Sequence, residues 1–513
     1  MTRDENDRLK AGEPIVDSDE DLREAIPPES AQRHQRHRCT DLGNGRRFAA
    51  KWGQDTRYVA EWAEWLTWSG TLWERDSGGQ AVRLLAQRVP DDIRADARQL
   101  DTEADDAATG EEAEDLRSAA KNLRKWAHQS EGTGRISATL REAQCQPPIP
   151  LRAEQLDAAE VLVCADATID LRTLKPRESR REDLATKRSP VAWQWNATCP
   201  RWIAFLEWAL CGDAELIGYV QRAVGYTLTA DTSEQCFFFL HGGGANGKGT
   251  FLAVIQHMLG KYGVTMPNTL LVERGPAQEQ HPAQYARLLG ARAAFGEDLV
   301  GSGTRWNESA LKQLTGEQVI PARGMRENFF DVKPTWKMWL AANHKPSVTG
   351  GGDYALWRRV RLIPFLAKRE VGDRDPRLRE KLLAEAPGIL AWAVEGLRLW
   401  REQGLGTATA IEEAVKAYRD QADVIGQFIE ECCEVGPHFS VHTTELYRRY
   451  AAWAKELGHR PIADNTLGAQ LEDRQFPAAM SNGKRKRKGL RLLDDGSMFT
   501  GQERRDYTGW GES

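Results

Sequence analysis

One stretch limits the fold more than any other: "FFFLHGGGANGKGTF", residues 237–251. An apolar run stops at His241 and a glycine-rich loop follows. Lys248, Gly249 and Thr250 then lead into "TFLAVIQHML", which has the apolar spacing of a helix. Strand, loop, lysine and helix in this order match the phosphate-loop spacing G-x-x-x-x-G-K, here Gly242 to Gly247-Lys248, with Gly243, Gly244, Ala245 and Asn246 between. Glycines let successive N–H groups turn inward on phosphate oxygens, and the following helix aims its N-terminus at the same place. The expected ligand is ATP with Mg2+. Serine or threonine normally follows the lysine and reaches the metal; here Gly249 does, and Thr250 is the candidate metal ligand one place later.

A phosphate loop needs an acid at the end of a neighbouring strand. "GARAAFGEDLV" offers Glu297 and Asp298, with Glu297 a second candidate metal ligand, although adjacent acids are often only a solvated turn. "VKPTWKMWLAANHKP" ends an apolar strand at Asn343, where a polar side chain can sense a γ-phosphate or simply begin a turn. "ALWRRVRLIPF" presents Arg358 and Arg359 before another strand. They read as a charge-stabilising pair for a neighbouring subunit's phosphate or as a surface pair.

At 513 residues the chain has room for two to four domains by the usual domain-length prior. Apolar residues make up 41% and charged residues 28%, a soluble balance. The net charge of −5 excludes a uniformly basic nucleic-acid binder, so DNA contact would have to be local. None of the eight cysteines forms a C-x-x-C pair, which argues against a zinc ribbon and for a reduced, cytoplasmic setting. No apolar run approaches the ~18–20 residues that span a bilayer, so no membrane partner is expected. Most of the 18 tryptophans are expected to be packing residues.

Residues 1–45 read as a disordered charged tail that includes "QRHQRHRC". Residues 46–150 read as a small α+β module with a hairpin at Ser69-Gly70, followed by polar helices. Residues 151–230 form a linker and helical lead-in, where Trp202, Phe205, Leu206, Ala209, Leu210, Leu216, Tyr219 and Val220 recur at helical spacing. The nucleotide core is placed at 231–370, a helical segment at 371–410, a closing domain at 411–500 and a tail at 501–513. The closing domain includes a helix beginning with Thr443 and Thr444, suited to capping, and the basic run Lys484, Arg485, Lys486, Arg487, Lys488.

The order of these pieces resembles a superfamily 3 helicase of the phage/plasmid and poxvirus primase-helicase type. The resemblance rests on the loop, "ALKQLTGEQVIPARG", "WLAANHKP" and "WRRVRLIPF", and extends upstream through "RRFAAKWGQDTRYV" and "CPRWIAFLEWALCGDAELIGYVQRAVGYTLTADTSEQ". It departs in Gly249 and in "DATIDLRTL", where the family shows Asn-Gly. The resemblance implies an α/β fold: a P-loop AAA+-like core, an N-terminal α+β module and a C-terminal winged helix. It implies that Lys248 and Thr250 are Walker A contacts, Glu297 and Asp298 Walker B, Asn343 sensor 1, and Arg359 the arginine finger with Arg358 as fallback. Lys312, Arg323 and Arg326 would touch DNA from a channel loop and hairpin, and the basic run from the wing. The implied protein is a homo-hexameric ring on single-stranded or forked DNA, partnered by a separate primase or other replication proteins, since 45 residues are too few for a primase catalytic domain. Two other functions share parts of this pattern. An ATP-gated DNA-binding or assembly switch would carry the same residues without unwinding. A small-molecule kinase would share the loop, but has no use for Asn343, the arginine pair or a basic closing domain.

Overall fold

The computed structural model describes residues 38–158, 160–273, 283–297, 305–316, 318–323, 329–348, 354–370, 372, 375–457, 459, 461–481 and 483–493. Most of the expected N-terminal tail and all of 501–513 lie outside them. The helix Asp41–Trp52 begins inside the stretch read as tail, with Thr40 Oγ1 accepting from Gly43 N at 3.0 Å as its N-cap. The chain divides into two units. One is 1–59, 64–67 and 75–151; the other is 60–63, 68–74 and 152–513.

The first unit is mainly helical. The polar text after residue 88 forms the helices Val89–Asp105 and Gly110–Ser130. Each buries one apolar stripe: Ile93, Ala97 and Leu100 on the first, Ala120, Leu123 and Trp126 on the second. Both stripes join Phe48, Val82, Ile136 and Ile149 in one core. Asn44 is buried but satisfied: its amide donates to Ser130 Oγ at 3.0 Å and its carbonyl accepts from Trp126 Nε1 at 3.0 Å.

The second unit holds a five-stranded sheet. Its strands are β1 (Phe237–His241), β2 (Gly263–Thr265), β3 (Ala293–Gly296), β4 (Lys337–Ala342) and β5 (Val360–Pro364). Their order is β5-β1-β4-β3-β2, and every neighbouring pair is parallel. A parallel sheet is covered on both faces, so its strands read as unbroken apolar runs rather than alternating ones. β1 meets that requirement. Phe238 and Leu240 join one core with Trp202, Tyr219, Val220, Phe251 and Ile389, while Phe237 and Phe239 join the other with Trp306, Leu311 and Tyr418. The lead-in residues at helical spacing are buried in the first of these cores, on the helices Pro200–Ala209 and Ala214–Thr227. Between β3 and β4 the chain forms the helix Glu308–Thr315 and an antiparallel pair, Ile320–Arg323 with Phe329–Val332. The turn expected at Ser69-Gly70 forms, with Ser69 N donating to Leu72 O at 2.9 Å and Gly70 at φ +96°.

The carboxyl end is built from the helices Val424–Cys432, Thr443–Glu456 and Asp464–Asp473 and the strands Cys433–His442, Ala478–Ser481 and Lys484–Leu492. The last strand lies between the other two, antiparallel to both. Phe428, Leu446, Tyr450, Trp453, Leu471 and Leu490 form its core. The threonine cap expected on the middle helix does not form. His442 is the N-cap without a side-chain bond, and the Thr443 hydroxyl donates to Arg485 O at 3.1 Å.

Candidate functional site

The carboxyl ends of β1, β3 and β4 carry the residues of interest. Ala342 of β4 pairs with His241 of β1, so Asn343 leaves its strand beside Gly242. Gly296 of β3 pairs with Leu340, so Glu297 leaves beside Ala341. Open α/β sheets bind ligands at this edge, where strands end and loops diverge.

Two glycines of the loop are demanded by space. A Cβ on Gly242 would overlap Phe365 O and Asn246 Nδ2. A Cβ on Gly247, at φ +88°, would meet Phe205 Cε2 at 2.8 Å and Trp208 Cζ3 at 3.1 Å. A Cβ on Gly249 would meet nothing within 4 Å. The helix Lys248–Leu259 starts directly after the loop, and no side chain caps it. Its first-turn N–H groups and the positive end of its dipole therefore face the loop.

Lys248 is 7% exposed, and its Nζ is ringed by oxygens. It donates to Gly242 O at 2.7 Å, Asn343 Oδ1 at 3.0 Å and Asn246 Oδ1 at 3.1 Å. Asn246 is itself tied down, its Nδ2 donating to Phe365 O at 2.9 Å. A cavity of about 340 Å3 opens beside the lysine, lined by residues 244–250, Glu297 and residues 341–343. These three oxygens are neutral, so an anion in this cavity can compete with them for the lysine's donors. Thr250 and Glu297 bring to its wall the hard oxygens that suit a magnesium ion. The residues present therefore fit a triphosphate with its metal, with one hydroxyl fewer than usual at Gly249. His241, half-buried at the end of β1, is pushed down to about 4 by burial and by the charges of Lys345 and Lys248. It is neutral near pH 7 and adds no charge beside the lysine.

The other predicted residues are spread more widely. Arg358 and Arg359 precede β5, whose Val360 pairs with Phe237 at the opposite end of β1. That is about 13 Å of strand from the loop by the usual rise per residue. Arg358 is exposed, with Nη2 3.4 Å from Gln235 Oε1. Arg359 is 8% exposed; its Nε donates to Thr315 Oγ1 at 3.1 Å and its Nη1 to Ala355 O at 2.6 Å. Lys312 is half-buried on the helix Glu308–Thr315, and Arg323 ends the strand Ile320–Arg323. Asp298 and Arg326 lie outside the described residues. In the basic run, Lys484, Arg485 and Lys488 are exposed and Lys486 is half-buried. Arg487 departs from the expected solvent-facing run. It is 1% exposed, and its Nη1 donates to Phe476 O at 3.1 Å and Glu472 Oε2 at 3.2 Å. The strand's alternation turns this arginine inward, so it supports the domain rather than facing a ligand. Two residues that the sequence reading passes over, Trp208 and Arg369, also lie against the loop; Arg369 N donates to Ala245 O at 3.3 Å. No local pattern links them, since they come from distant parts of the chain.

A buried lysine in a glycine-rich loop, set at the carboxyl edge of the parallel sheet of a mixed α/β protein, defines the class. Three families match: "D5 N terminal like" over residues 45–211, "Family of unknown function (DUF5906)" over residues 240–359, and "Poxvirus D5 protein-like" over residues 420–491. Two viral proteins are similar in sequence. "Putative helicase L207/L206" of Acanthamoeba polyphaga mimivirus is 27% identical over 264 residues, 47% of this chain and 27% of that one. "Putative helicase 022R" of Frog virus 3 (isolate Goorha) is 26% identical over 251 residues, 45% of this chain and 26% of that one. The chain thus spans about a quarter of the length of these relatives. Among solved structures, the apo NrS-1 C terminal region (305–718) has a TM-score of 0.41 at 11% identity, covering 59% of this chain and 77% of that one. The A form apo structure of the NrS-1 C terminal region has 0.43 at 11%, covering 69% and 88%. D5-like matches on both sides of the glycine-rich loop, together with the two helicase-named viral relatives, support a primase-helicase-type protein of superfamily 3.

Proposed function

We propose that the chain is an ATP-dependent DNA helicase of phage, plasmid or mobile-element replication, moving along single-stranded DNA as a homo-hexameric ring. The observation that carries this reading is the Lys248–Asn343 contact, 3.0 Å long, at the edge of a sheet ordered β5-β1-β4-β3-β2. That order sets the strand ending at Asn343 beside the strand that leads into the loop, which supports reading the sheet as a P-loop AAA+-like core.

In this reading the loop N–H groups and Lys248 hold the β- and γ-phosphates. Thr250 and Glu297 would hold Mg2+, which would neutralise charge on the phosphates, with Asp298 as the second acid of the pair. Glu297 also orients the attacking water, and Asn343 reports the state of the γ-phosphate. Arg358 and Arg359 lie at the other end of β1 from their own loop, which supports a finger that would act on a neighbouring subunit's nucleotide. The exposure of Arg358 makes it the better placed of the two. Lys312, Arg323 and Arg326 would supply a positive channel to a single-strand backbone. The carboxyl-terminal domain is read as a winged helix whose hairpin carries Lys484, Arg485, Lys486 and Lys488 to phosphates.

Gly249 supports a second reading, an ATP-gated DNA-binding or assembly switch, because one hydroxyl fewer on the metal suits slow turnover. Strand displacement from a forked duplex separates the two. The motor requires ATP-dependent release of the displaced strand, lost in Lys248→Ala; ring assembly on the fork with no release would leave only the switch.

A further inference from the structure

A second cavity, of about 720 Å3, shares Gly244, Ala245, Gly247 and Thr250 with the first and extends to Trp208, Arg369 and Leu378. Trp208 lies on the helix Pro200–Ala209 and is half-buried. Its ring edge bears on the loop residue just before the lysine, where a Gly247 Cβ would meet Trp208 Cζ3 at 3.1 Å. The Arg369 guanidinium carbon lies 4.5 Å from the centre of the indole ring. Its backbone is anchored to the loop by the bond from Arg369 N to Ala245 O. Lys368 and Arg379 also line this space. The nearby Asp375 carboxylate is already engaged, accepting from Lys381 Nζ at 2.6 Å and Arg377 N at 3.0 Å.

A flat cation over an indole face occupies the place that a flat heteroaromatic ring would take. Indole and guanidinium are also side-chain planes on which nucleobases stack. The cavity joins that plane to the loop through shared wall residues, as a base and its triphosphate must be joined. We propose that Trp208 and Arg369 form the base subsite of the nucleotide site. A purine nucleoside triphosphate lays its base on the Trp208 indole, and the Arg369 guanidinium shifts to the base's outer face. A purine covers more of the indole than a pyrimidine, so ATP binds more tightly than CTP. The proposal rests on the nucleotide reading above and adds which side chains take the base.

Titration calorimetry with ATP, CTP and inorganic tripolyphosphate tests it on the full chain. Trp208→Ala is expected to weaken ATP about tenfold and to leave tripolyphosphate unchanged, with Trp208→Phe restoring most of the loss. Arg369→Ala is expected to weaken ATP about threefold, again without touching tripolyphosphate, and reads the subsite even if Trp208→Ala fails to fold. Equal binding of ATP and tripolyphosphate by the wild type would overturn the subsite. So would parallel loss of both ligands in Trp208→Ala, which would make Trp208 a support for the loop only. Lys248→Ala, expected to weaken both ligands, reports on the phosphate cradle separately. If the wild type takes up no ATP at all, the nucleotide reading fails and the base subsite with it.

Discussion

The central sheet buries a lysine at each end, and the two are held in different ways. At the carboxyl edge, Lys248 Nζ meets Gly242 O, Asn246 Oδ1 and Asn343 Oδ1 and borders a cavity. At the opposite end, Lys337 opens β4 and is 2% exposed. It donates to Thr229 O at 2.6 Å and Asp231 O at 2.8 Å, and its Nζ lies 4.5 Å from the centre of the Tyr226 ring. Burial holds the Lys337 ammonium well below the usual lysine range. One lysine is fastened partly by side-chain amides that can release it to an anion; the other is fixed by main-chain carbonyls and an aromatic face. Burial alone therefore says nothing about function. What separates the two is the glycine loop that leaves space beside Lys248.

The largest expected difference is functional. Lys248→Ala should lower ATP hydrolysis at least about a hundredfold, the scale for removing a pre-placed charge stabiliser, with a smaller loss of stability because water in the adjoining cavity can reach the oxygens it leaves. Lys337→Ala should do the reverse. Two buried carbonyls lose their donor, so unfolding in urea should show a loss of about 2–4 kcal/mol, while activity per folded molecule is kept. A stable Lys337→Ala protein, or an unstable Lys248→Ala one, would break the comparison.

Within the loop, Gly242→Ala places a methyl group on the Phe365 carbonyl and should cost about 2–3 kcal/mol along with nucleotide binding. Gly249→Ser enters open space and should leave stability within about 0.5 kcal/mol. Because it restores a hydroxyl after the lysine, it should also lower the Mg2+ concentration for half-maximal hydrolysis; an unchanged Mg2+ requirement would mean that Thr250 already fills that role.

The smallest expected effect is acid sensitivity at His241. The unfolded chain takes up its proton near 6.5, the folded one only near 4. Between these values the unfolded state binds more protons, so stability is lost as pH falls from about 6.5 to about 4, and no more is lost below that. Partial exposure of the ring keeps the effect small. His241→Gln should flatten this limb, read as the difference in melting temperature between about pH 7 and about pH 4.5.

Much of this was legible in the sequence because it is contiguous there. The loop occupies one short stretch, and the unbroken apolar run of β1 and the apolar approach to Asn343 mark strands covered on both faces. The meeting of Lys248 with Asn343 was legible only through the family resemblance, since spacing does not say which strands are neighbours. Three features were hidden for physical reasons. Lys337 sits in a strand whose text gives no sign that carbonyls from another element will close on it. Arg487 looks like one more cation in a basic run until the alternation along Lys484–Leu492 turns it inward. Trp208 and Arg369 meet only because a helix of the lead-in and the segment after β5 both pack against the loop. The polar helices of the first unit are intermediate: their composition suggested exposure, yet one residue in each turn suffices to build a core.

The most direct test of the central claim is ATP hydrolysis by the purified protein with and without single-stranded DNA, beside Lys248→Ala. The account expects hydrolysis that rises several-fold with DNA and vanishes in the variant. Hydrolysis indifferent to DNA, or undiminished by Lys248→Ala, would contradict it.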